Sequence, residues 1–167
     1  MLSNVKEELN RFAKYVISQS RANLTRGKKN SSKELYNSLD SNVKVSKNSF
    51  ELSFVMEDYG VFQDKGVSGV KKKYNTKYSY TTKMPPPSKM DKWIVKKGIA
   101  PRDKNGKFIS RKSLQFMIAR SIFNNGIKPS LFFTKPFEKA FKNIDKDLIK
   151  AYRLDIEQLL DTSINNK

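Results

Sequence analysis

The first stretch of the chain places its apolar side chains on one side of a helix. Over residues 3–26 most apolar positions are one, three or four residues apart, which is typical of an amphipathic helix. We predict a helix there, with Ser3 as its N-cap and Gly27 at its end. The stripe consists of Val5, Leu9, Phe12, Ala13, Val16, Ile17 and Leu24.

A short helix and a β-hairpin follow. Residues 31–39 predict the helix, with Ser31 or Ser32 as its cap. Residues 42–56 alternate between polar and apolar side chains, which indicates two antiparallel strands joined by a turn at 48–49. The inward side chains are Val43 and Val45 on the first strand and Phe50, Leu52, Phe54 and Met56 on the second.

The middle of the chain loses this regular spacing. The stretch DYGVFQDKG, residues 58–66, predicts one or two helical turns that end at Gly66. Residues 67–83 hold five lysines and three tyrosines without an apolar period, so we expect an exposed loop or a flexible β-hairpin arm. Prolines at 85–87 then predict a stiff extended segment.

Two helices and a turn are predicted after the prolines. The first helix spans 88–98 and has Trp93 among its inward residues. A polar turn at 101–112 contains an Asn-Gly pair at its tip. The second helix spans about 111–125, with Ser110 as its cap.

A short extended stretch, residues 127–133, precedes a long final helix that begins at Thr134. Its apolar stripe continues for about 25 residues, or about 38 Å of helix, which is longer than a small domain. Its far half therefore packs either on a neighbouring subunit or back on the helix at 3–26. The stripe consists of Phe137, Ala140, Phe141, Ile144, Leu148, Tyr152, Ile156, Leu159 and Leu160.

These elements predict one α+β domain over residues 1–167. A small antiparallel sheet is flanked by the long N-terminal helix, a middle helix pair and the long C-terminal helix. The length suits a single core, and the sequence contains no linker or internal repeat that would divide it. The basic loop or arm at about 67–83 is an insertion in this domain.

The distribution of charge along the chain says more about function than the overall composition does. The net charge is +18, and residues 65–112 contain fifteen Lys or Arg but only two Asp or Glu. A strongly positive protein usually meets an anionic partner, whether nucleic acid, an acidic protein face or a lipid surface. A lysine-rich surface that serves only solubility would not concentrate the charge in one segment.

Several kinds of chemistry are excluded by the residues themselves. The chain has no Cys and no His, so disulfides, thiolate metal sites and histidine bases are impossible. No apolar run is long enough to span a membrane, and the N-terminal stretch does not resemble a signal peptide. The first helix carries mixed charges, so we expect it in the core and not on a membrane. We expect no enzyme, cofactor or metal, although Asp58 and Asp64 leave a metal-dependent nuclease open.

Lysine and tyrosine alternate in the segment 67–83, and this is the strongest candidate for a binding site. Lysine contacts phosphate, and tyrosine can either stack on bases or brace the loop. Arg102 is the one arginine between residues 65 and 110, so we expect contact without base readout. The candidate contacts with nucleic acid or an acidic partner are Lys71, Lys72, Lys73, Lys77 and Lys83.

The order of these pieces resembles the neck and tail-completion proteins of tailed bacteriophages, small virion proteins at the head-to-tail junction. The resemblance covers nearly the whole chain, but the basic loop at 67–83 is longer than the pattern. It is carried by Tyr59, Gly60, Phe62 and Gly66 after the hairpin, by IARSIFNNGI at 118–127, and by Pro129, Leu131, Phe132, Phe133 and Pro136 before the last helix.

The resemblance implies a helix-flanked antiparallel sheet that assembles into a ring. It implies a structural role, joining the portal or adaptor to the tail around the DNA channel, and a location in the virion after synthesis in the bacterial cytoplasm. A ring requires contacts between unlike faces of identical subunits. The candidate subunit contacts are Tyr59, Phe62, Phe132 and Phe133.

A second function remains open besides that of a structural protein at the head-to-tail junction. The chain would then be a nonspecific nucleic-acid-binding accessory protein of a phage, acting alone through the same lysines. The two readings differ in where the protein is found: in the virion as a ring, or free and bound to nucleic acid.

Overall fold

The computed structural model describes residues 2–29, 32–46 and 49–165. Over these residues the chain has six α-helices and one two-stranded antiparallel sheet, so the predicted α+β class is confirmed. The elements are α1 (Ser3–Arg26), α2 (Glu34–Ser38), β1 (Asp40–Val45), β2 (Phe50–Val55), α3 (Tyr59–Lys65), α4 (Asp91–Lys96), α5 (Arg111–Asn125) and α6 (Thr134–Asn165), with a 3-10 helix at Pro87–Met90. The proposed cap Ser31 and turn residue Asn48 lie outside the described residues.

The chain divides into two compact units. The first unit contains Met1–Gly27, Glu34–Glu57 and Phe132–Lys167. The second unit contains Lys28–Lys33 and Asp58–Leu131. The prediction of a single domain over the whole chain stays a prediction.

Helices α1 and α6 form the body of the first unit. Val5 and Leu9 pack with Ala151, whereas Phe12 and Val16 pack with Ile144, so the two helices run in opposite directions. Most of the stripe predicted for α1 is buried, but Ile17 is only half-buried, and Leu24 packs with Phe132 in a separate cluster. The last helix packs back on the first through Ile144, Leu148 and Ala151, as one of the two predicted alternatives has it, although other apolar side chains of its far half are exposed.

The hairpin packs on this helix pair through Val43, Leu52 and Phe54, whereas Phe50, which was also predicted to face inward, is exposed. Val43 lies opposite Leu52 in the antiparallel register, and both contact the core around Leu9. Phe54 lies among aromatic rings, with its centroid 5.2 Å from Phe133 in an edge-on arrangement. Burial of these rings is the main driving force holding the hairpin on the helices.

Helix α6 is longer than predicted, and much of the apolar stripe predicted for its far half is exposed. Its 32 residues correspond to about 48 Å of helix. Ile144 and Ala151 face the core, but Ile149 is 70% exposed, and Tyr152 is also exposed. The exposed apolar side chains of this half, called here the outer strip, are Ile149, which was not part of the predicted stripe, and Tyr152, Ile156, Leu159 and Leu160, which were.

The second unit follows the predicted elements with one correction. Helix α3 ends at Gly66, and Ser110 caps α5 by accepting a hydrogen bond from the Ser113 N–H. The predicted helix at 88–98 is shorter, because 87–90 forms a 3-10 helix and α4 has only six residues. So short a helix buries Ile94 and leaves Trp93 exposed, contrary to the prediction.

Candidate nucleic-acid interface

Nearly all of the net charge belongs to one unit. The second unit contains twenty Lys or Arg and four Asp or Glu, a net charge of +16, whereas the first unit carries +2. Such a density of one sign creates a positive potential that attracts polyanions over a Debye length of about 8 Å. The candidate surface therefore lies on the second unit.

A buried strip of four residues, 66–69, forms the base of the lysine-rich segment. Val67 exchanges both backbone hydrogen bonds with Ile127, at N···O distances of 2.9 and 2.8 Å. A Cβ on Gly69 would lie 2.2 Å from the Asn124 carbonyl oxygen, so only glycine fits there. The glycine-punctuated sequence is thus explained by close backbone contact with the last turn of α5 and the residues that follow it.

Ser68 closes the segment into a loop. Its N–H donates to the Tyr78 carbonyl at 2.8 Å, and its carbonyl accepts from the Tyr80 N–H at 2.8 Å. Its buried hydroxyl donates to the Tyr74 carbonyl and accepts from the Tyr74 N–H. The segment is therefore an exposed loop tied to a buried serine, and among the described residues it forms no β-hairpin arm.

The end of α5 holds the first lysines of the loop. The N–H of Val70 donates to the Phe123 carbonyl, and those of Lys71 and Lys72 donate to the Asn124 carbonyl. Carbonyls in the last turn of a helix have no partner within the helix, so the loop supplies the missing donors. The backbone that carries these lysines is consequently fixed to the second unit.

The five predicted contact lysines all lie at the surface of this loop. Within the described part of the chain, no salt bridge joins any of them to a carboxylate. The ammonium groups of Lys72 and Lys77 lie 5.7 and 5.3 Å from the ring centroids of Tyr74 and Tyr78. All are exposed: Lys71, Lys72, Lys73, Lys77 and Lys83.

Two of the three tyrosines of the loop face the protein. Tyr78 meets Phe62 edge-on with ring centroids 4.8 Å apart, and Tyr80 lies 6.3 Å from Phe123. Burial raises the pKa of the Tyr80 hydroxyl. Of the two roles open to the tyrosines, the contacts favour bracing the loop over stacking on bases.

The four predicted subunit contacts separate into two kinds. Tyr59 and Phe62 are 44% and 41% exposed, so a neighbouring subunit can reach them. Phe132 is 2% exposed and packs with Leu24 and Leu39 inside the first unit, which leaves no ring surface for a neighbour. Phe133 is partly buried against the same core.

The two aspartates considered for metal chemistry lie in different surroundings. Asp58 is exposed, whereas Asp64 is buried, and its backbone carbonyl accepts from the Leu131 N–H. A search of the described residues finds no group of three or more Asp, Glu, His or Cys placed to hold a metal ion. A nuclease therefore gains no support from these side chains.

A second basic element is visible only in the structure. The polar turn predicted at 101–112 brings Arg102 opposite Phe108 in an antiparallel bridge, with the guanidinium carbon 3.8 Å from the ring centroid. Lys104 and Lys107 lie on the same turn and are exposed. The available sequence signal was an arginine three residues before an Asn-Gly tip and a phenylalanine two residues after it.

Comparison with protein-family models, curated proteins and solved structures finds no match for this chain. Among the helices in the described ranges, none combines the length and hydropathy that crossing a bilayer demands. Charge and geometry of the second unit are therefore the observations from which function can be argued.

Proposed function

We propose that this chain is a structural subunit of the neck or tail of a tailed bacteriophage. Copies of it form part of a ring that joins the portal or adaptor to the tail around the DNA channel. One observation carries the proposal: a net charge of +16 in the second unit, with a fixed loop of exposed lysines. The motifs that resemble phage neck proteins supply the biological setting.

The lysine loop suits a channel through which DNA must move. Lysine ammonium groups on flexible stems attract phosphate at a distance but do not form the bidentate forks of arginine. Contacts of this kind are independent of sequence and weaken with salt. A ring lined by them would neutralise the duplex without holding it at one register.

Assembly requires apolar surface that the isolated chain leaves open. The first unit exposes the outer strip of α6, and the second unit exposes Tyr59 and Phe62. A ring is built from heterologous contacts, in which one face of a subunit binds a different face of the next. We assign these apolar groups to contacts with neighbouring copies or with portal, adaptor and tail proteins.

The experiment that tests this proposal is localisation of the protein in purified virions by immunogold electron microscopy. The expected result is label at the head-to-tail junction. A preparation of infectious virions that lacks the protein would contradict the proposal. Capsid label away from the junction would contradict the position in the neck or tail.

The lysine loop also favours a second candidate function, a free accessory protein that binds nucleic acid without sequence preference. This candidate predicts micromolar binding of a duplex by the isolated chain and a steep dependence on salt. Replacing Lys71, Lys72 and Lys73 by Glu should abolish the binding, with Lys139, Lys142 and Lys146 replaced by Glu as the control of equal charge. Unchanged affinity in the loop variant would eliminate this candidate.

A further inference from the structure

The turn at residues 101–109, called here the Arg102 turn, is closed by its own backbone. The Ile109 N–H donates to the Pro101 carbonyl at 3.0 Å, and the Asp103 N–H donates to the Lys107 carbonyl at 2.8 Å. Gly106 adopts φ = +78°, which an L side chain rarely tolerates. The side chains on this turn are therefore presented from a defined backbone.

The single acid of the turn is committed to the turn itself. One carboxylate oxygen of Asp103 accepts hydrogen bonds from the Asn105 and Lys107 N–H groups, each at 2.9 Å. This arrangement is the local turn-forming role of aspartate. The carboxylate is thus engaged with backbone donors, and the same turn carries three cationic residues: Arg102, Lys104 and Lys107.

Arg102 is held in one orientation by two contacts. Its Nη1 donates to the Gly106 carbonyl at 2.8 Å, and its guanidinium lies 3.8 Å from the centroid of the Phe108 ring. Within the described residues, Nε and Nη2 make no hydrogen bond. A guanidinium that is already oriented loses less conformational freedom when it binds an oxyanion, which strengthens the contact.

We propose that the Arg102 turn is a second phosphate-contact element, separate from the lysine loop, that binds the backbone of duplex DNA. Arg102 donates its free N–H groups to a phosphate, Phe108 positions the guanidinium, and Lys104 and Lys107 bind neighbouring phosphates. The inference deepens the proposed DNA-facing role and rests on it. Duplex is favoured over single strand because the guanidinium covers one face of the Phe108 ring, where a base would otherwise stack.

The first test compares two triple-alanine variants of equal charge in the full-length protein. One removes Arg102, Lys104 and Lys107, and the control removes Lys139, Lys142 and Lys146 from α6. Fluorescence anisotropy with a labelled 24-base-pair duplex is recorded over a range of salt concentrations. We expect the turn variant to lower the slope of log K against log salt by about 2.7, from about 0.9 per phosphate contact, and the control to leave it near the wild-type slope.

The second test separates orientation from charge. Phe108→Leu keeps every charge but removes the aromatic ring on which the guanidinium lies. Arg102→Lys keeps the positive charge but removes the planar guanidinium that can donate two parallel hydrogen bonds. We expect each to weaken duplex binding about tenfold, the loss typical of one charge-assisted hydrogen bond. Both changed side chains lie at the surface, so both variants should fold, and circular dichroism melting checks this.

Several results would overturn the inference. An equal decrease of the salt slope in the two triple variants would mean that only net charge matters. Unchanged duplex affinity in both Phe108→Leu and Arg102→Lys would show that an oriented arginine plays no part in binding. Preference for a single strand, or for anionic vesicles, would identify another partner. If the wild type fails to bind duplex even at low salt, the inference falls, while localisation in the virion still decides the proposed function separately.

Discussion

Asp155, near the end of α6, accepts a hydrogen bond from the backbone N–H of Val5, 150 residues earlier, at 3.0 Å. Its other oxygen accepts from the Asn4 N–H at 2.9 Å. Ser3, predicted as the N-cap of α1, is instead its first residue, and its hydroxyl donates to the same carboxylate at 3.3 Å. A side chain from another helix therefore satisfies N–H groups that a local cap would otherwise bind.

Removing this carboxylate should destabilise the first unit. We expect Asp155→Ala to lower the free energy of unfolding by about 2–3 kcal/mol, because the change removes a helix cap and leaves buried N–H donors without a partner. Urea denaturation followed by circular dichroism measures the effect. Asp161→Ala, an exposed acid on the same helix, is the control and should change stability by less than about 0.5 kcal/mol. Equal losses of stability in Asp155→Ala and Asp161→Ala would show that Asp155 does not cap α1.

The cap should also be sensitive to acid. Burial raises the pKa of Asp155, but the hydrogen bonds from Asn4, Val5 and Ser3 outweigh it, so the pKa lies below the ordinary 3.8. A carboxylate with a lowered pKa stabilises the fold fully above its unfolded pKa, and this contribution disappears as the pH falls through its folded pKa.

The stability difference between wild type and Asp155→Ala should therefore be constant near neutral pH and shrink below about pH 4. Urea titrations from pH 7 to pH 2 measure this difference. A difference that stays constant down to pH 2 would show that the carboxylate charge plays no part in the cap.

Close backbone contact at Gly69 should be intolerant of any side chain. Gly69→Ala places a methyl group against the Asn124 carbonyl, and we expect a loss of about 3 kcal/mol. Gly98→Ala is the control: its methyl group meets open space, but the residue has φ = +61°, so about 1–2 kcal/mol is expected. Thermal melting compares the two, and a smaller shift for Gly69→Ala would contradict the seam between 66–69 and 124–127.

The outer strip of α6 should drive contact between copies or with other virion proteins. If copies bind through it, Ile149→Ser with Leu160→Ser should shift the protein toward monomer in sedimentation equilibrium, without a change in melting temperature. Phe50→Ser, an exposed apolar residue of the hairpin, provides the matched control. Wild type that remains monomeric at high concentration would assign the strip to another protein, and equal shifts in both variants would deny it a specific role.

Local pattern was sufficient for much of the architecture. The predicted range 3–26 is that of α1, although Ser3 begins the helix and does not cap it, and Gly66 terminates α3 as expected. Ser110 caps α5 because a serine followed by a helical period is a local signal. These features depend on residues within a few positions of one another, which is why a single sequence reveals them.

The sequence revealed only part of the candidate site. The lysines of 67–83 were found because charge density can be counted along the chain. Their attachment to Ser68 and to the carbonyl of Asn124 could not be read, since hydrogen-bond partners depend on how the chain folds back on itself. The stacking of Arg102 on Phe108 was missed for the same reason.

The sequence by itself determined the helical periods, the hairpin, the excess of positive charge and the absence of Cys and His chemistry. Each of these features follows from local spacing or from composition, so none of them requires knowledge of how the chain folds. The tertiary structure decided that Phe132 is core, that Asp155 caps a helix 150 residues away, and that an oriented Arg102 lies on a closed turn. Burial and hydrogen bonding between distant residues depend on packing, and packing is a property of the whole fold.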